Sequence, residues 1–462
     1  MHRNCLKRLQ TWANREKRKP MILRGARQVG KTTLVRLLAK SLGLTLVEIN
    51  LEEKASFVEL LNDKSAAKQI LEYLLIEKGI KDKPENILFF FDEAQELPEL
   101  IPYLRYFYEK APEYRVIVTG SLLEFSLKSK LASSPVGRVE YSYLEPMSFT
   151  EFLLAVNPVA CEQLENIDVS LPIPKPLHIM FYSLFKEYCI CGGMPEVIKS
   201  YVDGASPIRI DEIKNDILSS YISDLPKYSL LDSRKYDEEL LELLFKKIAS
   251  SPSTNESYVK LAPGYRSEKV KLHLGLLEKA LLVRKSKHSG AALSPIAVLE
   301  NPKFYKLFFM DIGLCYSYMS LPILEVKSAS ELNSVASGKL AEQVIAQNLL
   351  ANGQHYKKSA LYHWQRTARG SVAEVDFLIE NDQGVFPVEC KSGHSNKLNS
   401  LKLLTIEKGF NIALRFYSGN IEITKLNNGT RLNNGTNDFK LISLPHYLVS
   451  PEKSLKQIAL RY

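Results

Sequence analysis

Met21-Ile22-Leu23-Arg24-Gly25-Ala26-Arg27-Gln28-Val29-Gly30-Lys31-Thr32-Thr33-Leu34 is the stretch on which the reading of this chain turns. Its first four residues form an apolar run of strand length that stops at a glycine. From Lys31 onward, Leu34, Leu37, Leu38 and Leu42 recur at helical spacing. Between strand and helix, Gly25 to Thr32 carries both glycines and the terminal Lys-Thr of the Walker A pattern. The glycines let successive backbone N–H groups turn inward, and the positive end of the following helix adds to them, so the loop suits a phosphate. Gly25, Ala26, Arg27, Gln28, Val29, Gly30, Lys31, Thr32 and Thr33 are therefore the expected nucleotide-binding residues. Lys31 is expected on the β and γ oxygens, and the Thr32 hydroxyl on Mg²⁺.

Further apolar runs at residues 45–51, 87–91 and 115–119 alternate with helical patterns at 66–77 and 101–110. Such alternation implies crossover units and a parallel sheet covered on both faces. Ile87-Leu88-Phe89-Phe90-Phe91-Asp92-Glu93 is a fully apolar strand ending in two acids, a Walker B pattern. Asp92 is expected to order Mg²⁺ or its waters, and Glu93 to polarise the attacking water. A third strand ends at Thr119-Gly120-Ser121, where Thr119 or Ser121 is placed to sense the γ-phosphate; the other reading is ordinary turn chemistry.

These motifs resemble the AAA-type ATPases of bacteria and archaea that carry a C-terminal domain of unknown function, and the similarity runs along nearly the whole chain. It rests on the Walker pair, Asp92-Glu93-Ala94-Gln95, Gly137-Arg138, Leu144-Glu145-Pro146-Met147-Ser148-Phe149-Thr150-Glu151-Phe152, Gly192-Gly193-Met194-Pro195-Glu196 and Met310-Asp311-Ile312-Gly313-Leu314. The resemblance implies a doubly wound P-loop NTPase fold using ATP and Mg²⁺. It also makes Arg138 an arginine finger for the transferring phosphoryl group, against an alternative as a surface or ion-pair residue.

The expected domains are an ATPase unit over 1–155, a helical lid or linker over 156–232, a winged helix-turn-helix with its connection over 233–331, and a restriction-endonuclease-like α/β domain over 332–462. In the third stretch, helical patterns at 237–249, 258–262 and 267–280 precede a strand at 281–284. Arg266, Lys269, Lys271 and His273 lie where phosphates or base edges would be met, although Leu272, Leu274, Leu276 and Leu277 mark much of that helix as core.

Residues 374–380 and 385–391 alternate in polarity around Asn381-Asp382-Gln383-Gly384, which suits a hairpin loop. Symmetric closure sets position 380 opposite 385, Asp376 opposite Glu389 and Glu374 opposite Lys391. One face then reads Glu374, Asp376, Glu380, Glu389 and Lys391, and the buried one Val375, Phe377, Ile379, Phe386, Val388 and Cys390. Facing carboxylates repel unless a cation separates them. Asp376, Glu389 and Lys391 match the D…ExK constellation of restriction-endonuclease-like nucleases, so Asp376 and Glu389 are expected metal ligands, with Glu342 of a preceding helix as a third and Lys391 activating water. The other reading is a solvated hairpin with Lys391 paired to Glu374.

The chain has 462 residues, 45% hydrophobic and 24% charged, which at roughly 150 residues per domain gives about three ordinary globular domains. Six cysteines are too few for a disulfide scaffold. No apolar run nears the roughly 18 residues of a membrane span, and the basic start lacks the apolar core of a secretory signal, so the expectation is a cytoplasmic protein with no membrane partner. The Asn-Gly-Thr at 428–430 recurs at 434–436 and is read as a duplicated surface turn. The net charge of +9 is concentrated: residues 1–20 hold seven Lys or Arg against one acid, and residues 331–462 hold 16 against 11. Such ends favour an anionic partner, DNA or RNA, though a lysine excess also serves solubility.

The expected function is ATP hydrolysis that drives movement of winged-helix and nuclease-like parts on nucleic acid, in a chain for which a homo-oligomer is compatible. The rival is a slow nucleotide-dependent switch or scaffold with an inactive nuclease-like domain.

Overall fold

The computed structural model describes residues 1–53, 57–120, 137–230, 236–321, 338–366, 373–393, 398–427 and 438–449. Ser121, both Asn-Gly-Thr sites and the expected boundaries at 232 and 331 lie outside these residues.

Strands β1 (Met21–Arg24), β2 (Thr45–Asn50), β3 (Ile87–Asp92), β4 (Arg115–Thr119) and β5 (Glu140–Tyr143) form one sheet in the order β2-β3-β4-β1-β5. Every neighbouring pair in it is parallel. The uninterrupted apolar character of β3 follows from burial on both sides. Leu88 and Phe90 pack with Leu34, Val35 and Leu38 of helix Lys31–Leu42, while Phe89 and Phe91 pack with Leu71, Leu74 and Phe107 of the helices on the opposite face. Parallel order with covered faces leaves the carboxyl ends of β1, β3 and β4 as one edge, where a loop site can form.

Helices Phe149–Val156, Pro158–Glu165, Lys175–Cys191, Pro195–Val202 and Pro207–Leu230 follow. The first is fixed by a capping box in which Ser148 and Glu151 satisfy each other's backbone N–H groups. Helices Glu238–Ser250, Tyr258–Leu261 and Ser267–Lys279 then lead into the antiparallel strands β6 (Val283–Ser289) and β7 (Glu300–Phe309).

This pair does not stand apart. β6 also pairs in parallel with β8 (Leu361–Gln365), so β6 and β7 form one edge of an eight-stranded sheet. The rest of that sheet is β9 (Glu374–Asn381), β10 (Gly384–Cys390), β11 (Ile412–Tyr417), β12 (Glu422–Asn427) and β13 (Asp438–Pro445), in the order β12-β13-β11-β10-β9-β8-β6-β7. Helix Gly338–Ala351 stitches this sheet to the earlier parts with amide side chains. Gln343 bonds both backbone groups of Phe309, Gln347 accepts from Ile312 N at 2.7 Å, and Asn348 accepts from Phe149 N at 2.8 Å.

The β9–β10 hairpin has the expected register from Val385 opposite Glu380 to Val388 opposite Phe377, where the ladder stops short of the expected Asp376–Glu389 and Glu374–Lys391 pairs. Its expected faces need correction. Val375 packs with Trp364, Leu378 and Leu401 in one core, whereas Phe377, Phe386, Val388 and Cys390 belong to another, so the alternation changes phase at Asp376 and both faces are covered. The ladder gives way there because the Asp376 carboxylate takes the Cys390 N–H at 2.8 Å.

Candidate nucleotide site and acidic centre

The loop after β1 is turned by Gln28 at φ 61° and Gly30 at φ 91°, conformations that direct backbone N–H groups inward. Gly25 has a second constraint: a Cβ on it would lie 2.5 Å from the Leu144 carbonyl oxygen. The buried Lys31 ammonium donates to Gly25 O at 3.1 Å and Ala26 O at 2.8 Å. Burial pushes that ammonium down to about 8, while Glu93 and Asp92 pull the other way.

Asp92 is the point of convergence. Thr32 donates to its Oδ2 at 2.7 Å, Thr119 donates to its Oδ1, and Glu93 N donates to the same Oδ1 at 3.0 Å. Glu93 itself is turned into the left-handed region at φ 55°, and its carboxylate accepts from Gln95 Nε2 at 2.6 Å. The structure thus brings Lys31, Thr32, Asp92, Glu93 and Thr119 together at the carboxyl ends of β1, β3 and β4; Thr33 is exposed on the adjoining helix. A hydroxyl and a carboxylate in contact are a hard-oxygen pair that fits Mg²⁺.

Residues without a local sequence signal brace this loop. Arg3 donates to Val29 O at 2.8 Å, to Glu145 O at 2.5 Å and to Glu151 Oε1 at 3.1 Å, and the Glu145 carboxylate is ion-paired to Arg284 of β6. From helix Pro207–Leu230, Tyr221 OH donates to Arg27 O at 2.5 Å, Ser220 Oγ accepts from Gln28 Nε2 at 3.2 Å, and Asp224 is ion-paired to Arg27. Close to two hundred positions separate these partners, so no periodicity could link them. Gln95, by contrast, stands in the acidic motif itself.

Arg138 is not among the assembled residues. Glu140 pairs with Met21, at the amino end of β1, whereas the phosphate loop leaves the carboxyl end at Arg24. Arg138 precedes that pair and donates to Glu109 Oε1 at 2.9 Å, on the opposite edge of the sheet from Asp92.

In the second sheet a lysine of the chain stands among the acids of the expected metal set. The Lys306 ammonium of β7 lies 2.6 Å from Glu342 Oε2, 2.5 Å from Glu374 Oε1 and 3.2 Å from Asp376 Oδ1. A cation among Glu342, Glu374 and Asp376 is thus supplied by the chain, and sequence reading missed it. Lys391 pairs with Glu389 at 2.5 Å rather than with Glu374, which takes Asn255 Nδ2 at 3.1 Å. Burial, reinforced by Asp376, pushes the Glu342 carboxyl up to about 7 and that of Glu389 to about 8, against the pull of Lys306 and Lys391 respectively. Each of the three expected metal ligands is ion-paired within the chain, Glu342 and Asp376 to Lys306 and Glu389 to Lys391.

Two of the expected nucleic-acid contacts are used internally. Lys269 pairs with Asp237 at 2.6 Å, and buried His273 accepts from Asp237 N at 2.8 Å while its other ring nitrogen meets Lys269 O at 2.7 Å. Arg266 and Lys271 are exposed. Among the described residues, no helix is long and apolar enough to cross a membrane.

With the geometry in place, comparison adds a family. Residues 17–153 match the family described as AAA domain. The chain carries an AAA-type P-loop ATPase domain. Residues 182–324 and 337–439 match two further families, each described as a domain of unknown function. No curated protein matches the chain.

Among solved structures, similarity is found to a Signal Transduction ATPase with Numerous Domains (STAND) protein with a tetratricopeptide repeat sensor from Pyrococcus horikoshii, at 15% identity over 75% of this chain and 45% of that one, TM-score 0.26. It is also found to PCH-2 of C. elegans, at 15% identity over 46% and 59%, TM-score 0.24, and to the RuvB Holliday junction branch migration motor of Thermotoga maritima, at 14% identity over 61% and 89%, TM-score 0.26. The chain spans 45% and 59% of the first two proteins' length. Likeness of this degree carries no functional weight.

Proposed function

We propose that this chain hydrolyses ATP with Mg²⁺ at the loop between β1 and helix Lys31–Leu42, and that the nucleotide cycle moves the helices and the eight-stranded sheet that follow. The observation that carries the reading is the meeting of the Thr32 and Thr119 hydroxyls on Asp92, beside Lys31 and Glu93. Lys31 exchanges the carbonyls of Gly25 and Ala26 for the β and γ oxygens of ATP. Thr32 and Asp92 would hold Mg²⁺, which supplies neutralisation of phosphate charge. Thr119 fixes the Asp92 carboxylate, and Gln95 fixes Glu93, which orients the attacking water and takes its proton. Phosphoryl transfer asks mainly for such positioning and charge stabilisation. Arg138, on the far edge, serves an adjacent copy in a homo-oligomer. Exposed Lys7 and Lys17 of the basic start, with exposed Arg266 and Lys271, support DNA or RNA as the macromolecular partner.

A second reading, a slow switch whose C-terminal acids are structural, is favoured by Lys306 lying among those acids. Steady-state phosphate release with and without DNA separates the two: stimulation supports the motor, and a slow rate indifferent to DNA supports the switch. Unchanged ATP affinity in Lys31→Ala would overturn both. Metal-dependent DNA cleavage by wild type that Asp376→Ala abolishes would restore a nuclease.

A further inference from the structure

We propose that Asp224 competes with bound phosphate for Arg27, so that nucleotide binding unlatches helix Pro207–Leu230 from the loop. The inference rests on the nucleotide reading above and adds a residue that controls affinity, from an element far away in sequence. Ser220, Tyr221 and Asp224 occupy one stripe of the helix, and all three engage Arg27 or Gln28. Arg27 is inside the phosphate loop. Its guanidinium, a planar fork suited to phosphate oxygens, is ion-paired to a carboxylate instead. A triphosphate brings several negative charges against the single one of Asp224, so the phosphate wins the exchange when it arrives.

Release is made easier by a second cation on the same carboxylate. Lys227 Nζ lies 3.1 Å from Asp224 Oδ1, while Arg27 takes Oδ2. Asp224 is therefore not left without a partner when Arg27 turns to phosphate, and the large cost of a stranded buried charge is avoided.

The helix has a route onward. The fully buried Tyr221 ring lies 6.5 Å from that of Phe245 in helix Glu238–Ser250, and Phe245 lies 5.1 Å from Phe309 at the end of β7, the strand that carries Lys306. Movement of the helix off Arg27 thus bears on the edge of the eight-stranded sheet through packed aromatic rings.

The test uses the full chain and a fluorescent N-methylanthraniloyl-ATP. Asp224→Asn, nearly isosteric, is expected to tighten binding by between about 5- and 150-fold, the range of typical coupling factors. Arg27→Gln is expected to weaken binding, and Asp224→Asn to add nothing in its background. Tyr221→Phe, which deletes only the hydroxyl on Arg27 O, is expected to shift affinity the same way as Asp224→Asn but less. By hydrogen exchange, nucleotide should speed exchange of residues 207–227 in wild type and not in Arg27→Gln. If Asp224→Asn binds the analogue no tighter than wild type, or acts equally with Arg27 absent, the latch is wrong. If wild type binds no analogue at all, the nucleotide reading itself is wrong.

Discussion

The Thr32 hydroxyl donates to Asp92 Oδ2 across 2.7 Å, joining the end of the phosphate loop to the tip of the neighbouring apolar strand. This single bond joins two motifs that lie 60 positions apart, and it assigns the surrounding roles. Glu93, next to Asp92, has its carboxylate held by Gln95 and is placed for proton transfer. Glu93→Gln is therefore expected to keep ATP binding while lowering turnover by roughly 10²–10⁴-fold. Equilibrium binding beside phosphate release would show it; a parallel loss of both would move Glu93 into the binding set.

Lys31 gives the site a pH signature. In the loop described here burial holds its ammonium down to about 8, and phosphate oxygens beside it favour the charged form again. At pH 7 the group is charged before and after binding, so no proton moves. At pH 9 it is mostly neutral beforehand, so binding takes up close to one proton and apparent affinity falls by up to about tenfold per pH unit above 8. Calorimetry in buffers of different ionisation enthalpy reads the uptake directly. Equal affinity at pH 7 and pH 9 would contradict the arrangement.

Lys306 makes the C-terminal centre sensitive to a single deletion. Glu342, Glu374 and Asp376 all approach its ammonium. Lys306→Met leaves these acids mutually repelling in a buried setting, a situation that costs on the order of 3–5 kcal/mol. Urea unfolding is expected to show that loss, and Glu342→Gln added to Lys306→Met is expected to recover part of it. A Lys306→Met variant as stable as wild type would mean that the acids are neutralised in another way.

The geometry of the candidate nucleotide site was legible because its parts are contiguous: the loop spans eight residues, and a strand ending in two acids stands out in an apolar sequence. The β9–β10 register was legible for a similar reason, since a short symmetric loop fixes the pairing on both sides. Lys306 was not. It arrives from a strand 70 positions before Asp376, and its only local mark is a lone lysine in the apolar run from Tyr305 to Phe309. The change of phase at Asp376 was hidden because it depends on a side chain replacing a ladder bond. The joining of β6 to β8 was hidden too, since a parallel pairing across a long connection leaves no hairpin signal.

Glu389 supplies the last test, through the sign of its titration. Burial first, and Asp376 second, push its carboxyl up to about 8, against the opposing pull of Lys391, and its Oε2 is buried without a hydrogen-bond partner. A carboxyl raised in the folded state favours its neutral form. The stability it contributes is complete below its ordinary value near 4.3 and is lost as pH rises through about 8. Glu342, raised to about 7, adds to the same trend over a narrower window. Glutamine imitates the neutral acid at every pH, so the advantage of Glu389→Gln over wild type should grow from pH 5 to pH 9, reaching on the order of a few kcal/mol. Thermal unfolding at those two pH values is sufficient, with the comparison made between the proteins at each pH so that other titrating groups cancel. A stability difference that stays constant between pH 5 and pH 9 would mean that Lys391 and water keep the Glu389 carboxylate charged throughout that range, against the effect of its burial.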